Sequence, residues 1–384
     1  MHELILVRDA ELHTPEPAGR GDVLVAFGRI LAVGPGLRPH GFGLEPRIID
    51  AAGHLLVPGL VDGLVHIGGG GGEGGFATRM PPLPADAALA AGVTSLVGAL
   101  GTDDVTRSHA DLLACARALA ARGLSAYVLS GSYQVPPVTL TGSVRGDLVL
   151  VPEVIGVGEV AIADHRGSQP GAAELARLAS DARVGGMLGG KAGRVLVHVG
   201  DAPEGLALLR EASARWPVPV TQWHPTHVNR NPALFADGLA FVREGGRIDF
   251  TTSTTPDMLD AGEIPAARAL ALALRDGLPP TSLTFSSDGQ ASLPHFDADG
   301  RLASLEAAPI ASLLAEVVAA ATQHGVPLAQ ALAVATSTPA SIWGLSRKGR
   351  IAPGMDADLL LLDRDSLALR WTLARGRGAP APGS

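Results

Sequence analysis

Eight short apolar runs rich in β-branched residues recur along the middle of the chain: "GLVDGLVHI", "VTSLVGALG", "SAYVLSGSY", "VIGVGEVAI", "RVLVHVGD", "PVTQWHPTHV", "RIDFTTS" and "SLTFSSDG". They alternate with segments of helical period such as "HADLLACARALAARG", "AAELARLASDARVGG" and "PALFADGLAFVREGG", several closing on a Gly that suits a helix C-terminus. Strand and helix in alternation are the mark of βα units and a parallel sheet. Eight such units predict an α/β fold, a (β/α)8 TIM-like barrel over residues 58–344. The unit after the third strand is the least regular, because "QVPPVTLTGSVRGDLVLVPE" reads as too rich in Pro and β-formers for a clear helix.

The two ends read differently. Residues 1–57 and 345–384 alternate in short β-like pieces separated by Gly and Pro turns. Neither end is long enough to form a stable sheet domain alone, so the two are expected to pair into one small β-sandwich domain outside the barrel. The "GAPAPGS" tail is expected to fray.

Charge and cysteine content narrow the function classes. With 30 basic and 38 acidic residues the balance is 30 − 38 = −8, and no block of like charge occurs. That argues against nucleic acid or an anionic membrane as the main partner. The single cysteine, Cys115, excludes an internal disulfide framework and a Cys-based zinc site. The opening "MHELILVRDAELH" has no basic-then-apolar leader, and no apolar run is long enough to span a bilayer, so a cytoplasmic location is expected.

In a barrel of this kind the chemistry gathers at the C-terminal ends of the strands. Here the eight runs close on or near His66, Thr102, Tyr133, Glu159, His198, His227, Ser253 and Asp288. Any one histidine in that position is more often structural than a ligand. Three His, one Glu and one Asp converging on one rim form a nitrogen and oxygen ligand set suited to zinc or a similar divalent ion. The loop after His66, "GGGGGEGG", can approach a ligand closely and turn through positive φ, carrying Glu73 over the site. It formally satisfies GxGxxG, but "FATRMPPLP" follows where a helix N-terminus is needed, so a phosphate loop is not expected.

On these residues the chain resembles the amidohydrolase superfamily, and within it the isoaspartyl (β-aspartyl) dipeptidases. The matching stretches are "VPGLVDGLVHIGGGGGEGG", "AGVTSLVGALGTD", "SGSYQVP", "GEVAIADHRGSQP", "RVGGMLGGKAG", "VHVGD", "PTHVNRN", "SSDG" and "KGRIAPGMDADLLLLD". The resemblance implies one or two Zn²⁺ ions held by His66, Glu159, His198, His227 and Asp288, with Glu159 bridging in place of a carbamylated lysine. It implies that Asp288 acts as the proton acceptor and donor and that Tyr133 donates to the developing oxyanion. It implies Glu73 for the substrate's α-amino group, Arg166 and Arg230 for its carboxylates, and Thr102 and Ser292 as smaller hydrogen-bonding contacts. A small dipeptide substrate and a homo-oligomeric assembly are implied as well.

One position departs from the pattern. The family opens its site with His-x-His, whereas this chain reads Leu64-Val65-His66, and alternation puts Leu64 and His66 on one face of the strand. The ion nearest His66 has therefore lost a ligand. One ion held by His198, His227 and Glu159, two ions with one held weakly, or loss of the chemistry all remain open. His224, three residues before His227, is expected on the opposite face in a packing or supporting role. The expected function is metal-dependent hydrolysis of the β-aspartyl isopeptide bond. The alternatives are another amide, cyclic amide or lactone as substrate, and a catalytically impaired binding homologue.

Overall fold

The computed structural model describes residues 4–39, 45–296 and 302–380. Five strands come first: β1 (Ile5–His13), β2 (Pro17–Ala26), β3 (Arg29–Gly34), β4 (Arg47–Asp50) and β5 (His54–Pro58). The eight predicted barrel runs then form β6 (Leu60–Val65), β7 (Val93–Gly98), β8 (Ser125–Ser130), β9 (Val154–Ile162), β10 (Arg194–Val199), β11 (Trp223–Thr226), β12 (Ile248–Thr251) and β13 (Leu283–Ser286). A hairpin, β14 (Ser292–Phe296) and β15 (Leu302–Ala307), precedes the last helices. The chain then closes with β16 (Leu359–Asp363), β17 (Leu369–Ala374) and β18 (Arg377–Pro380).

Strands β6 to β11 form a parallel sheet in sequence order, and β12 pairs in parallel with β13. Backbone bonds join these two pieces into a ring. Val228 N donates to Asp249 O at 3.3 Å on one side, and on the other Asp288 N donates to Leu64 O at 3.1 Å and His66 N to Gly289 O at 2.8 Å. Period-two alternation sorts the side chains. Val195 and Val197 of β10 join the large apolar layer shared with the surrounding helices, while Leu196 packs with Val61, Val97, Leu129, Ile155 and Trp343 inside the ring. Each fully buried aliphatic side chain in these layers contributes roughly 1.5–3 kcal/mol.

The segment after β8 does form a helix, contrary to its irregular look. Ser143 accepts from Gly146 N at 3.0 Å and starts a helix over Val144–Leu150. That cap, with Leu148 in the core, outweighs the local preference.

The terminal strands join into one eight-stranded sheet, ordered β18-β17-β16-β5-β1-β2-β3 with β4 also on β1. It curls so that Arg29, which opens β3, bridges Asp356 just before β16. Inside the curl lie Ile5, Val7, Val23, Val25, Leu56, Leu359, Leu361 and Leu373. The alternate residues Leu360 and Leu362 pack on the barrel side, which is why β16 is an unbroken leucine run. The tail departs from expectation: Arg377–Pro380 pairs with β17, and residues 381–384 lie outside the described residues. Among the described residues no helix is long and apolar enough to cross a membrane.

Candidate metal centre and substrate pocket

The strand-end residues meet at one mouth of the ring. His66, fixed through its backbone bond to Gly289, puts Nε2 at 3.3 Å from Glu159 Oε1 and 3.1 Å from Asp288 Oδ1. The other Glu159 oxygen, Oε2, lies 3.5 Å from His198 Nδ1 and 3.6 Å from His227 Nε2. Glu159 thus stands between two pairs of ligand-type groups, one oxygen toward each. It projects from within β9, which continues to Ile162. Ligand atoms of Glu159, His198 and His227 all lie within 4.8 Å of one another.

These groups fit a divalent ion better than they fit one another. Both Glu159 oxygens and Asp288 Oδ1 are buried and accept no hydrogen bond among the described residues. Buried carboxylates left this way are costly unless a cation faces them. Burial opposes the Glu159 charge, but the three surrounding imidazoles hold its carboxyl well below the ordinary range. Burial would likewise depress His66, yet its contacts with Asp288 and Glu159 raise it to about 10. His227, buried and beside His198, is pulled down to about 4 and offers a neutral nitrogen.

Two supporting side chains escaped the sequence reading. Asp164 accepts from His198 Nε2 at 2.9 Å, which leaves Nδ1 to face Glu159. Thr251 Oγ1 holds His227 Nδ1 at 2.6 Å and leaves Nε2 toward Glu159. Thr251 could have been found as an inward position at the end of β12; nothing in the spacing of "ADHR" signals that Asp164 reaches His198. The expectation for His224 needs correction. His227 lies just beyond β11 at φ 64, so strand alternation no longer relates the two rings, and both turn inward. His224 stays out of the ligand cluster: Nε2 bonds Thr284 Oγ1 at 3.1 Å and the ring stands edge-on to Trp343.

Leu64 is fully buried in the apolar layer with Val97, Leu129, Leu196 and Trp343 and does not line the cavity. Ser253 also lies off the cavity, its hydroxyl buried without a partner among the described residues.

The cavity above the cluster measures about 470 Å³ and is lined by His66, Glu73, Thr102, Tyr133, Arg166, His198, Arg230, Asp288 and Ser292. Glu159 and His227, each 1% exposed, lie beneath that lining. Tyr133 places its hydroxyl 2.9 Å from His198 Nδ1, and burial followed by the Glu159 charge raises the phenol well above its usual range, so it stays protonated. Glu73 accepts from Thr102 Oγ1 at 3.1 Å and from Ser292 Oγ at 3.3 Å. Arg166 is held by Asp164 through Nη2 at 2.7 Å and Nε at 3.0 Å, with Nη1 3.8 Å from Glu73 Oε1. Arg230 leans on the buried Glu263 carboxylate at 3.6 Å and reaches to 3.9 Å from Asp288. Ser253 apart, every residue expected at the site is brought to this mouth; Leu64 is not.

The chain thus joins a barrel that holds a buried His and Glu cluster at its C-terminal mouth to a curled sheet built from both chain ends. The amidohydrolase family model matches residues 260–377. The adenine deaminase of Deinococcus radiodurans is 30% identical over 372 residues, covering 93% of this chain and 58% of the relative, and that of Ruegeria pomeroyi is 26% identical, covering 95% and 55%. The chain therefore spans little more than half the length of these curated relatives. The chain belongs to the amidohydrolase superfamily, a class of hydrolytic enzymes. Within that superfamily it is similar to the β-aspartyl dipeptidase of Fervidobacterium islandicum AW-1, solved in complex with β-Asp-Leu. The two are 40% identical with a TM-score of 0.92, covering 100% of this chain and 98% of the other.

Proposed function

We propose that the chain hydrolyses the β-aspartyl isopeptide bond of isoaspartyl dipeptides. The observation that carries this reading is one cavity with a carboxylate, Glu73, and two guanidiniums, Arg166 and Arg230, at its wall above the Glu159 cluster. An isoaspartyl dipeptide has one amine and two carboxylates; Glu73 is complementary in sign to the amine, and Arg166 and Arg230 to the carboxylates. Glu73 would take the amine, with Thr102 and Ser292 fixing its carboxylate, while the arginines would take the substrate's carboxylates.

Glu159, His198, His227, His66 and Asp288 would hold one or two divalent ions. When bound, such an ion makes water acidic enough to serve as a nucleophile near neutral pH and polarises a carbonyl. Asp288, with one oxygen unpartnered, would accept the proton of the attacking water and deliver it to the leaving amine. Tyr133, kept protonated by burial, would donate to the carbonyl oxygen as charge develops there. Zinc as the ion, a cytoplasmic setting and a homo-oligomeric assembly belong to the same proposal and rest on the family resemblance.

A second reading, action on another amide-like or cyclic substrate, is favoured by Leu64 and by the similarity to adenine deaminases. Release of leucine from β-Asp-Leu, set beside α-Asp-Leu, a cyclic imide, a lactone and adenine in zinc-supplemented and chelated buffers, separates the two. Turnover of β-Asp-Leu alone is expected. Turnover of another substrate with none of β-Asp-Leu would replace the proposal with the second reading, and tight binding of β-Asp-Leu without turnover would mark an impaired binder.

A further inference from the structure

The glycine-rich stretch after His66 folds back on itself. Met80 N donates to Gly70 O at 2.9 Å, Leu83 N donates to Ile67 O at 3.0 Å, and Gly71 bridges Arg79, so an outgoing and a returning arm lie side by side with Glu73 beyond them. Gly69 has φ 83, and a Cβ there would come within 2.1 Å of Met80 O, which excludes any side chain. A loop this rich in glycine loses much backbone entropy on ordering and needs compensating contacts to keep one shape.

One side chain supplies them. Arg107, immediately before the Ser108 cap of the helix His109–Ala121, is 8% exposed. Its Nη1 donates to Gly68 O, and its Nη2 donates to Gly70 O at 2.8 Å and to Met80 O at 3.1 Å. The fork therefore grips both arms. Asp103 and Asp111 act on Arg107 only through their field, and its printed hydrogen bonds among the described residues all go to loop carbonyls. A buried guanidinium spent on three loop carbonyls is a costly arrangement for mere packing. The segment that bears it also bears Thr102, which donates to Glu73, so residues 102–107 hold the loop at its base and at its functional side chain.

We propose that Arg107 is a positioning residue that locks the glycine loop in the form that presents Glu73 to the substrate's amine. It rests on the dipeptidase reading for the identity of that amine, and on the geometry alone for the lock.

The test combines hydrogen exchange with kinetics on β-Asp-Leu for Arg107→Gln, Arg107→Lys, Glu73→Gln and the double variant Glu73→Gln/Arg107→Gln. In Arg107→Gln, amide exchange over residues 67–83 should quicken at least about tenfold while the barrel strands keep their protection. KM should rise about tenfold with kcat within about threefold, and Arg107→Lys, which keeps the charge but not the fork, should fall between. Because the effect acts through Glu73, adding Arg107→Gln to Glu73→Gln should raise KM no more than about twofold further. Unchanged loop exchange, exchange quickened throughout the barrel, or KM effects that multiply in the double variant would each overturn the proposal. Should Arg107→Gln fail to fold, Arg107→Lys is judged by the same criteria. If the wild type does not cleave β-Asp-Leu, the dipeptidase reading fails and the exchange result alone decides the lock.

Discussion

Leu64→His restores the residue type that the resemblance expects at this position, and its cost can be worked from the surroundings. Leu64 has no exposed surface and packs against Val97, Leu129, Leu196 and Trp343. Removing its side chain from that layer forfeits about 2 kcal/mol of apolar burial, and an imidazole left without a partner there adds about 1–3 kcal/mol. The variant stripped of metal should therefore be about 3–5 kcal/mol less stable. At roughly 2.1 cal/mol/K per residue, 384 residues give an unfolding entropy near 0.8 kcal/mol/K, so the melting midpoint in chelator should drop by about 4–6 °C. If the new ring joins His66 in holding an ion, added zinc should stabilise the variant more than the wild type, by about 1.4 kcal/mol for each tenfold gain in affinity. Melting curves in chelator and across a zinc series, with metal content per chain, measure both parts. An unchanged midpoint in chelator would refute the packing argument. An identical zinc response in the two proteins would refute the alignment of position 64 with a ligand.

Two further predictions address the hydroxyl in the pocket and a buried acid. Tyr133→Phe should lower kcat about 10²–10³-fold with KM and metal content little changed, since the lost hydrogen bond serves the developing oxyanion; a loss confined to KM would reassign the residue to binding. Asp62, buried where Ser287 N and Oγ donate to it, is raised by that burial to about 7. The folded chain keeps a proton that the unfolded chain has already lost, so stability falls as pH rises from about 4 to 7, by on the order of 4 kcal/mol from this group, and then levels. Asp62→Asn should shrink the difference between urea midpoints at pH 4.5 and pH 7.5, with the similarly raised Asp249 keeping its own share; parallel profiles in wild type and variant would contradict the assignment.

Recurrence of β-branched runs was enough to find all eight barrel strands, because a strand buried in a parallel sheet must be apolar over its own few residues. Strand ends likewise delivered His66, His198, His227 and Asp288, since one end of every barrel strand faces the same mouth. Local reading failed where a distant partner decides. The Ser143 cap and the packing of Leu148 make a helix of a stretch that looks irregular, and pairing with β17 orders the first part of a tail that reads as loose.

What the sequence determined by itself was the alternation that defines the barrel and the inventory of imidazoles, carboxylates and guanidiniums available to its mouth. Tertiary structure decided which of them face each other. Asp164 on His198, Thr251 on His227, Arg107 across the glycine arms and Leu64 among apolar side chains are all contacts between segments far apart in the chain. Periodicity reports which side of its own strand a residue takes, whereas the group it meets there depends on closing the ring.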